Sequence, residues 1–167
     1  ILMQAMTVDE LTFEGEHFSV EKMPLEMKPF QEPHPPVWSG VGLPEATRWP
    51  AENRINTMSN TDPETVRKIT DAYRKEWNNC GYDPNELPLL GMTRFVVIAD
   101  TNEKALSLGR RMYDVWYKSF MKLWWLHDKT PPLAACTETF DEMISDGKAV
   151  AGTAETVKSM LDEHIEQ

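Results

Sequence analysis

The sequence predicts an α/β fold on three observations. Short apolar strand candidates alternate with helical stretches along the chain. The densest of them, Phe95-Val96-Val97-Ile98-Ala99, is a continuous apolar run of the kind found in strands buried on both faces. The helix candidates open on residues that cap helix N-termini. Alternation of this kind argues for parallel βαβ units.

Element by element, Ile1-Leu2-Met3-Gln4-Ala5-Met6 is apolar, without a basic stretch or a small-residue cleavage site. It reads as the last turns of a helix rather than as a signal peptide. Leu11 to Phe18 alternates around Glu14-Gly15, a hairpin-like or extended signal. Pro24, Pro29, Pro33, Pro35 and Pro36 fix φ and remove donors, which predicts an extended surface connection. Val37-Trp38-Ser39-Gly40 is a buried strand running into Gly40-Val41-Gly42, and Pro44 to Trp49 follows as a helix with proline in its first turn. Arg54 to Ser59 is a second strand. Asp62 and Pro63 open a helix whose Val66, Ile69, Tyr73 and Trp77 share one face. Gly81 ends it where a left-handed residue is wanted.

Leu89 to Ala99 is the third strand region, and Asp100 with Glu103 resembles a capping box. The long helix after it keeps its period through Ala105, Leu108, Met112, Trp116, Phe120 and Leu123, until Pro131-Pro132 stops it. Phe140, Met143 and Ile144 suggest a short helix. Ala149-Val150-Ala151-Gly152 then leads to Thr153, the N-cap of a helix reaching Gln167 with Val157, Met160, Leu161 and Ile165 inward.

The 167 residues suffice for one domain with a core, and 41% apolar with 26% charged residues is ordinary for a soluble chain. A net charge of -10 repels phosphate backbones and argues against nucleic acid as a partner. Cys80 and Cys136 lie in no C-x-x-C motif and read as reduced thiols of a cytoplasmic protein. No apolar run has the length of a membrane helix, and the aromatic stretch Val115 to Leu126 is broken by Lys118, Ser119 and Lys122. His17, His34, His127 and His164 do not pair at helical spacing, so no metal site is expected. Ser39, Ser59 and Ser145 lack the context of a hydrolase nucleophile. Glu14 with Glu16, and Glu142 with Asp146, read as solvated faces.

Two segments carry possible chemistry. Trp38-Ser39-Gly40-Val41-Gly42-Leu43 takes a strand through two glycines to a helix start, where free N–H groups can hold an anion such as a phosphate. A tight βα turn without a ligand would look the same. It is neither a P-loop nor a full dinucleotide fingerprint. In the aromatic segment, Trp116, Phe120 and Leu123 or Trp124 are core by spacing. Tyr117 and Trp125 fall off that face and could line a substrate entrance or a surface covered by another part of the protein.

Four motifs in order resemble those of the bacterial-luciferase-like flavin monooxygenases. They are Phe13-Glu14-Gly15-Glu16-His17-Phe18, the run from Pro29-Phe30-Gln31 to Val37-Trp38 with its glycine turn, Arg94-Phe95-Val96-Val97-Ile98-Ala99-Asp100-Thr101, and Ala151-Gly152-Thr153-Ala154-Glu155-Thr156-Val157, where Ala154 replaces the family's usual proline. The resemblance implies a partial (β/α)8 TIM barrel, about strands five to seven with their helices, at residues 37–42, 54–59 and 90–99. All of residues 1–167 would then form a single domain, the C-terminal half of a barrel whose first four strands and last strand lie outside this sequence. It further implies FMN, or a deazaflavin in some branches, held by Ser39, Gly40, Val41, Gly42 and Leu43, with Met58 and Ser59 near the ring or ribityl chain. Reduced flavin and oxygen would oxidise a small organic substrate lined by Tyr117, Trp124 and Trp125. Catalytic residues would lie upstream. Such a half barrel alone would be inactive, and would self-associate or pair with the missing half. The competing expectation is a non-catalytic α/β interaction module that self-associates through its Trp-rich helix.

Overall fold

The computed structural model describes residues 1–131 and 137–166, so Pro132 and Cys136 lie outside the described residues. Two compact units divide the chain, Ile1–Val37 and Trp38–Gln167.

In the first unit a one-turn helix α1, Leu2–Ala5, precedes two strands, β1 (Glu10–Glu14) and β2 (Ser19–Pro24). They pair antiparallel, and the Gly15 N–H donates to the Phe18 carbonyl across the turn (2.9 Å). The hairpin signal therefore extends further than its alternating stretch, with β2 continuing to the first proline. Lys28 bridges back to this unit through Asp9 (3.0 Å) and the Val8 carbonyl.

The second unit holds two parallel sheets. Strands β3 (Trp38–Gly40), β4 (Asn56–Ser59) and β5 (Leu90–Met92) form the first, in chain order. Strands β6 (Phe95–Ile98) and β7 (Ala149–Gly152) form the second. The expected 90–99 strand is thus split at Thr93-Arg94. Thr93 N–H still donates to the Ser59 carbonyl (2.8 Å), and Phe95 N–H donates to the Lys148 carbonyl (3.1 Å), so two residues carry the chain from one sheet to the other. The strand at Ala149–Gly152 was anticipated only as the approach to a helix.

Pro44 to Trp49 is not a single helix. A 3-10 turn, Pro44–Thr47, is followed by a short α-helix α2, Arg48–Glu52. Pro50 has no N–H to give to the Ala46 carbonyl, which prevents one continuous α-helix across the segment. Helix α3, Pro63–Asn79, starts as expected: the Thr65 N–H donates to Asp62 Oδ1 (2.9 Å), with Pro63 in its first turn. Ile69, Tyr73 and Trp77 are its buried residues, Tyr73 and Trp77 pack with Ala51, and Gly81 beyond its end has φ +71°. Arg54 closes this core from outside, its guanidinium 4.2 Å from the Tyr82 ring centroid and 3.4 Å from Glu86.

Helix α4, Asn102–Leu126, is capped by Thr101, whose hydroxyl accepts from the Lys104 N–H (3.2 Å). Asp100 instead pairs with the Lys104 ammonium (2.7 Å), one residue away from the expected capping role. The buried stripe of α4 is Ala105, Gly109, Tyr113 and Met121; Met112, Phe120 and Leu123, expected inward, are exposed. Gly109 selects this face, because a Cβ there would stand 2.6 Å from Phe140 Cζ. Phe140 belongs to α5, Phe140–Ser145, which begins with a full capping box of Thr139 and Glu142. Tyr113, Phe140, Met143 and Ala149 form the core of this layer. The last helix, α6 (Ala154–Glu166), is capped by Thr153, whose hydroxyl accepts from the Thr156 N–H (3.3 Å).

Candidate functional site

The three-stranded sheet has two unlike faces, since successive side chains alternate across a strand. Parallel register places Ser39 beside Thr57 and Thr57 beside Leu90. On that face Val41, Ile55, Thr57 and Ser59 are buried, and Leu90 packs against the Ala51, Tyr73 and Trp77 cluster. Tyr73 ties helix to sheet by donating its hydroxyl to the Ile55 carbonyl (2.9 Å).

The other face carries Trp38, Gly40, Asn56, Met58 and Gly91. Here the register makes one row: Gly40 beside Met58, and Met58 beside Gly91. Glycine on both sides of Met58 leaves the sheet bare where neighbouring strands would present side chains. A Cβ on Gly40 would meet nothing within 4 Å, and one on Gly91 would lie 3.4 Å from Trp38 Cζ3. The indole of Trp38 thus reaches across to the Gly91 side of this floor.

The glycine turn sits at the C-terminal end of β3. The Val41 N–H is committed to the sheet, donating to the Met58 carbonyl (2.9 Å). The N–H groups of Gly42 and Leu43 form no hydrogen bond among the described residues. Of the turn's backbone donors these two are the ones available to an anion. Met58 lies on the open face with Gly40. Ser59 lies on the covered face, its hydroxyl 2.9 Å from Thr61 Oγ1.

Beyond the same sheet end, at the β5–β6 junction, is a cavity of about 290 Å³. Phe95, Trp116, Phe120 and Met143 form its apolar walls, and Arg94 and Lys148 are its charged groups. Arg94 Nη1 donates to the Thr93 carbonyl (2.8 Å), while its Nε and Nη2 are buried without a hydrogen-bond partner among the described residues. Burial pushes the Arg94 guanidinium below the usual arginine range, against an opposing pull from Asp62. Nearby, burial first and the Arg94 charge second push the His164 imidazole down.

The expected substrate-lining residues are brought together only in part. Tyr117 stacks on Tyr113 (centroids 6.1 Å apart) and meets the edge of Trp125 at 6.0 Å. Trp124 instead borders a separate open groove with Phe120 and Leu123. Among the described residues there is no cluster able to hold a metal ion, and no helix is long and apolar enough to cross a membrane.

Against known proteins, the family model of the luciferase-like monooxygenases matches residues 1–167. The chain belongs to that family. An uncharacterised protein of Sinorhizobium fredii, y4wF, is 36% identical over 169 residues, which take in 100% of this chain and 48% of the relative. This luciferase-like chain therefore spans about half the length of the curated relative it matches. In fold it is similar to the monooxygenase RslO1 of Streptomyces bottropensis (TM-score 0.73, 17% identity, 97% of this chain and 46% of that one). It is also similar to an F420-dependent secondary alcohol dehydrogenase (TM-score 0.63, 17% identity, 99% and 49%). A third likeness is the oxygenating constituent of 3,6-diketocamphane monooxygenase of Pseudomonas putida, solved with FMN (TM-score 0.60, 15% identity, 98% and 50%).

Trp38, Gly91 and Arg94 join the candidate site only in the structure of this family member. The signal for the first two was present, as Trp38 and Gly40 share the phase of the strand opposite to Ser39 and Val41. A glycine inside a strand, such as Gly91, also marks a close approach. Arg94 carried no signal, since what matters is that its donors are buried and unpaired.

Proposed function

We propose that this chain supplies part of the flavin cradle of a luciferase-like monooxygenase that oxidises a small organic substrate with reduced flavin and oxygen. The carrying observation is the bare row Gly40–Met58–Gly91 at the end of a parallel sheet, beside the Gly42 and Leu43 N–H groups. Flat rings lie best on a surface without projecting side chains, and a phosphate suits paired backbone donors. FMN or a deazaflavin fits this pattern. The bound flavin would supply the redox chemistry, while this chain's Trp38 and Met58 would wall off water and its backbone would orient the group. The three parallel strands β3, β4 and β5 would serve as strands five to seven of the barrel, with residues 1–167 acting as one domain. The remainder of the cradle, the catalytic residues and the last strand would come from chain outside these residues.

The test is titration of FMN and of a deazaflavin against the 167-residue chain, followed by flavin fluorescence, with NAD(P)H-coupled oxygen uptake in parallel. Weak, saturable binding without turnover is the expected result. Gly40→Val has room to fold and should weaken flavin at least about ten-fold, since a projecting side chain blocks the floor. Tight stoichiometric binding with turnover would overturn the partial cradle, and an unaffected Gly40→Val would overturn the floor.

A second reading draws on a separate observation. Met112, Val115, Leu123 and Leu126 share one face of α4 and are all exposed, an apolar surface of the kind that self-association covers. It predicts a concentration-dependent dimer in sedimentation, dissociated by Leu123→Glu, and it holds whether or not flavin binds.

A further inference from the structure

We propose that the cavity at the β5–β6 junction is a receptor for a small carboxylic acid with an apolar body, its carboxylate taken by the Nε–Nη2 edge of Arg94. The chain itself shows what that edge does. Arg110 presents the same two nitrogens to Asp141, with Nε to Oδ2 at 2.9 Å and Nη2 to Oδ1 at 2.9 Å. A guanidinium fork matches a carboxylate in this bidentate way, and charge-assisted pairs are the strong hydrogen bonds. On Arg94 the same edge is buried and has no partner among the described residues. An unpaired charge in an apolar setting is costly, so a fold that keeps one has a use for it.

The surroundings define the ligand. Phe95, Trp116, Phe120 and Met143 offer apolar wall, with Trp116 and Phe120 stacked 5.0 Å apart between centroids. A cavity of about 290 Å³ lies at the small end of ligand sites and suits a medium-chain or single-ring acid. Lys148 adds a second positive group, already paired with Asp146 at 3.1 Å, whereas Arg94 feels Asp62 only through charge and its Nε and Nη2 have no hydrogen-bond partner among the described residues. The only side-chain bond Arg94 makes among the described residues is to its neighbour's carbonyl. Arg94 lines the cavity while its Nε and Nη2 are closed to solvent, so the proposal includes a movement of the side chain that opens this edge to the ligand. Binding as such requires no flavin. Only the naming of the acid as the oxidised substrate rests on the function proposed above.

Calorimetric titration of the full chain with octanoate, octan-1-ol and acetate tests this without flavin. Octanoate should bind at least about ten-fold more tightly than octanol or acetate, because only it offers both head and tail. Arg94→Gln should weaken octanoate by roughly ten- to hundred-fold and leave octanol unchanged. Arg94→Lys keeps the charge but not the fork and should fall between, while Trp116→Ala should weaken octanoate and octanol together. Without ligand, Arg94→Gln should fold with an unchanged or raised thermal midpoint, which a purely structural arginine would not allow. Equal binding of octanoate and octanol to the unaltered chain overturns the proposal, as does an Arg94→Gln chain that binds octanoate normally. Failure of octanoate leaves the flavin cradle untouched, and failure of flavin leaves this site untouched.

Discussion

The two faces of one three-stranded sheet differ more than any two elements of the chain. On the helix side, Ile55, Thr57 and Ser59 are buried, and Tyr73 and Trp77 are almost fully enclosed. On the other, glycines replace side chains and Trp38 remains 40% exposed. Among the described residues, three strands of three or four residues thus draw most of their packing from one side, with the Trp38 indole beside Gly91 on the other. The difference separates two tasks: the helix side holds the strands in place, and the bare side is free to meet something else.

Four substitutions probe that separation. Trp77→Ala should have the largest effect, costing about 3–5 kcal/mol of unfolding free energy in urea melts, as for other buried aromatics. A loss confined to flavin affinity would break the comparison. Asp62→Ala removes the cap of α3 and should cost about 1 kcal/mol. Burial pushes the Asp62 carboxyl up, but the Thr65 hydrogen bonds and Lys148 outweigh it, and the net shift is downward. The sign follows: the folded form favours the carboxylate. Its contribution is therefore whole above the unfolded value of about 4, and fades as pH falls through the lower folded value. Stability melts from neutral to acid pH should show wild type and Asp62→Ala converging at the acid end.

Tyr73→Phe should cost a similar amount, about 0.5–1.5 kcal/mol, by removing the bond to the Ile55 carbonyl. Burial is the main cause that pushes the Tyr73 phenol up to about 12. The tyrosine's share of stability is full below its ordinary value and lost as pH rises towards about 12, a limb that phenylalanine lacks. Met58→Ala, on the bare face, should change stability least, by about 0.5 kcal/mol or less. It should nonetheless weaken flavin, which a fluorescence titration reads directly. A Met58→Ala chain as destabilised as Trp77→Ala would show that both faces carry the fold.

What the sequence reveals is mostly local. Asp62, Pro63 and Gly81 bound α3 because capping and left-handed turns depend on neighbours within a few residues. The strand and helix order was readable for the same reason. Pairings across the chain were not: Ala149–Gly152 is too short to declare itself a strand until Phe95–Ile98 lies beside it. The inward face of α4 is not legible in the sequence because its apolar residues run almost all the way round, and Gly109 against Phe140 chooses among them. In the site, Gly40 to Leu43 and Met58 were visible as a glycine turn and a strand end. That Ser59 and Met58 face opposite sides follows from alternation, but which side the helix covers is not legible in the sequence.

The row Gly40–Met58–Gly91 has a consequence for how such a protein can change over generations. Two of its three positions present backbone alone, and backbone contacts do not alter when side chains elsewhere are exchanged. The cavity walls of α4 and α5 are side chains on separate elements, such as Trp116, Phe120 and Met143. Substitutions there would reshape what is recognised while the floor stays as it is, so new specificities can be tried without rebuilding the part common to all of them.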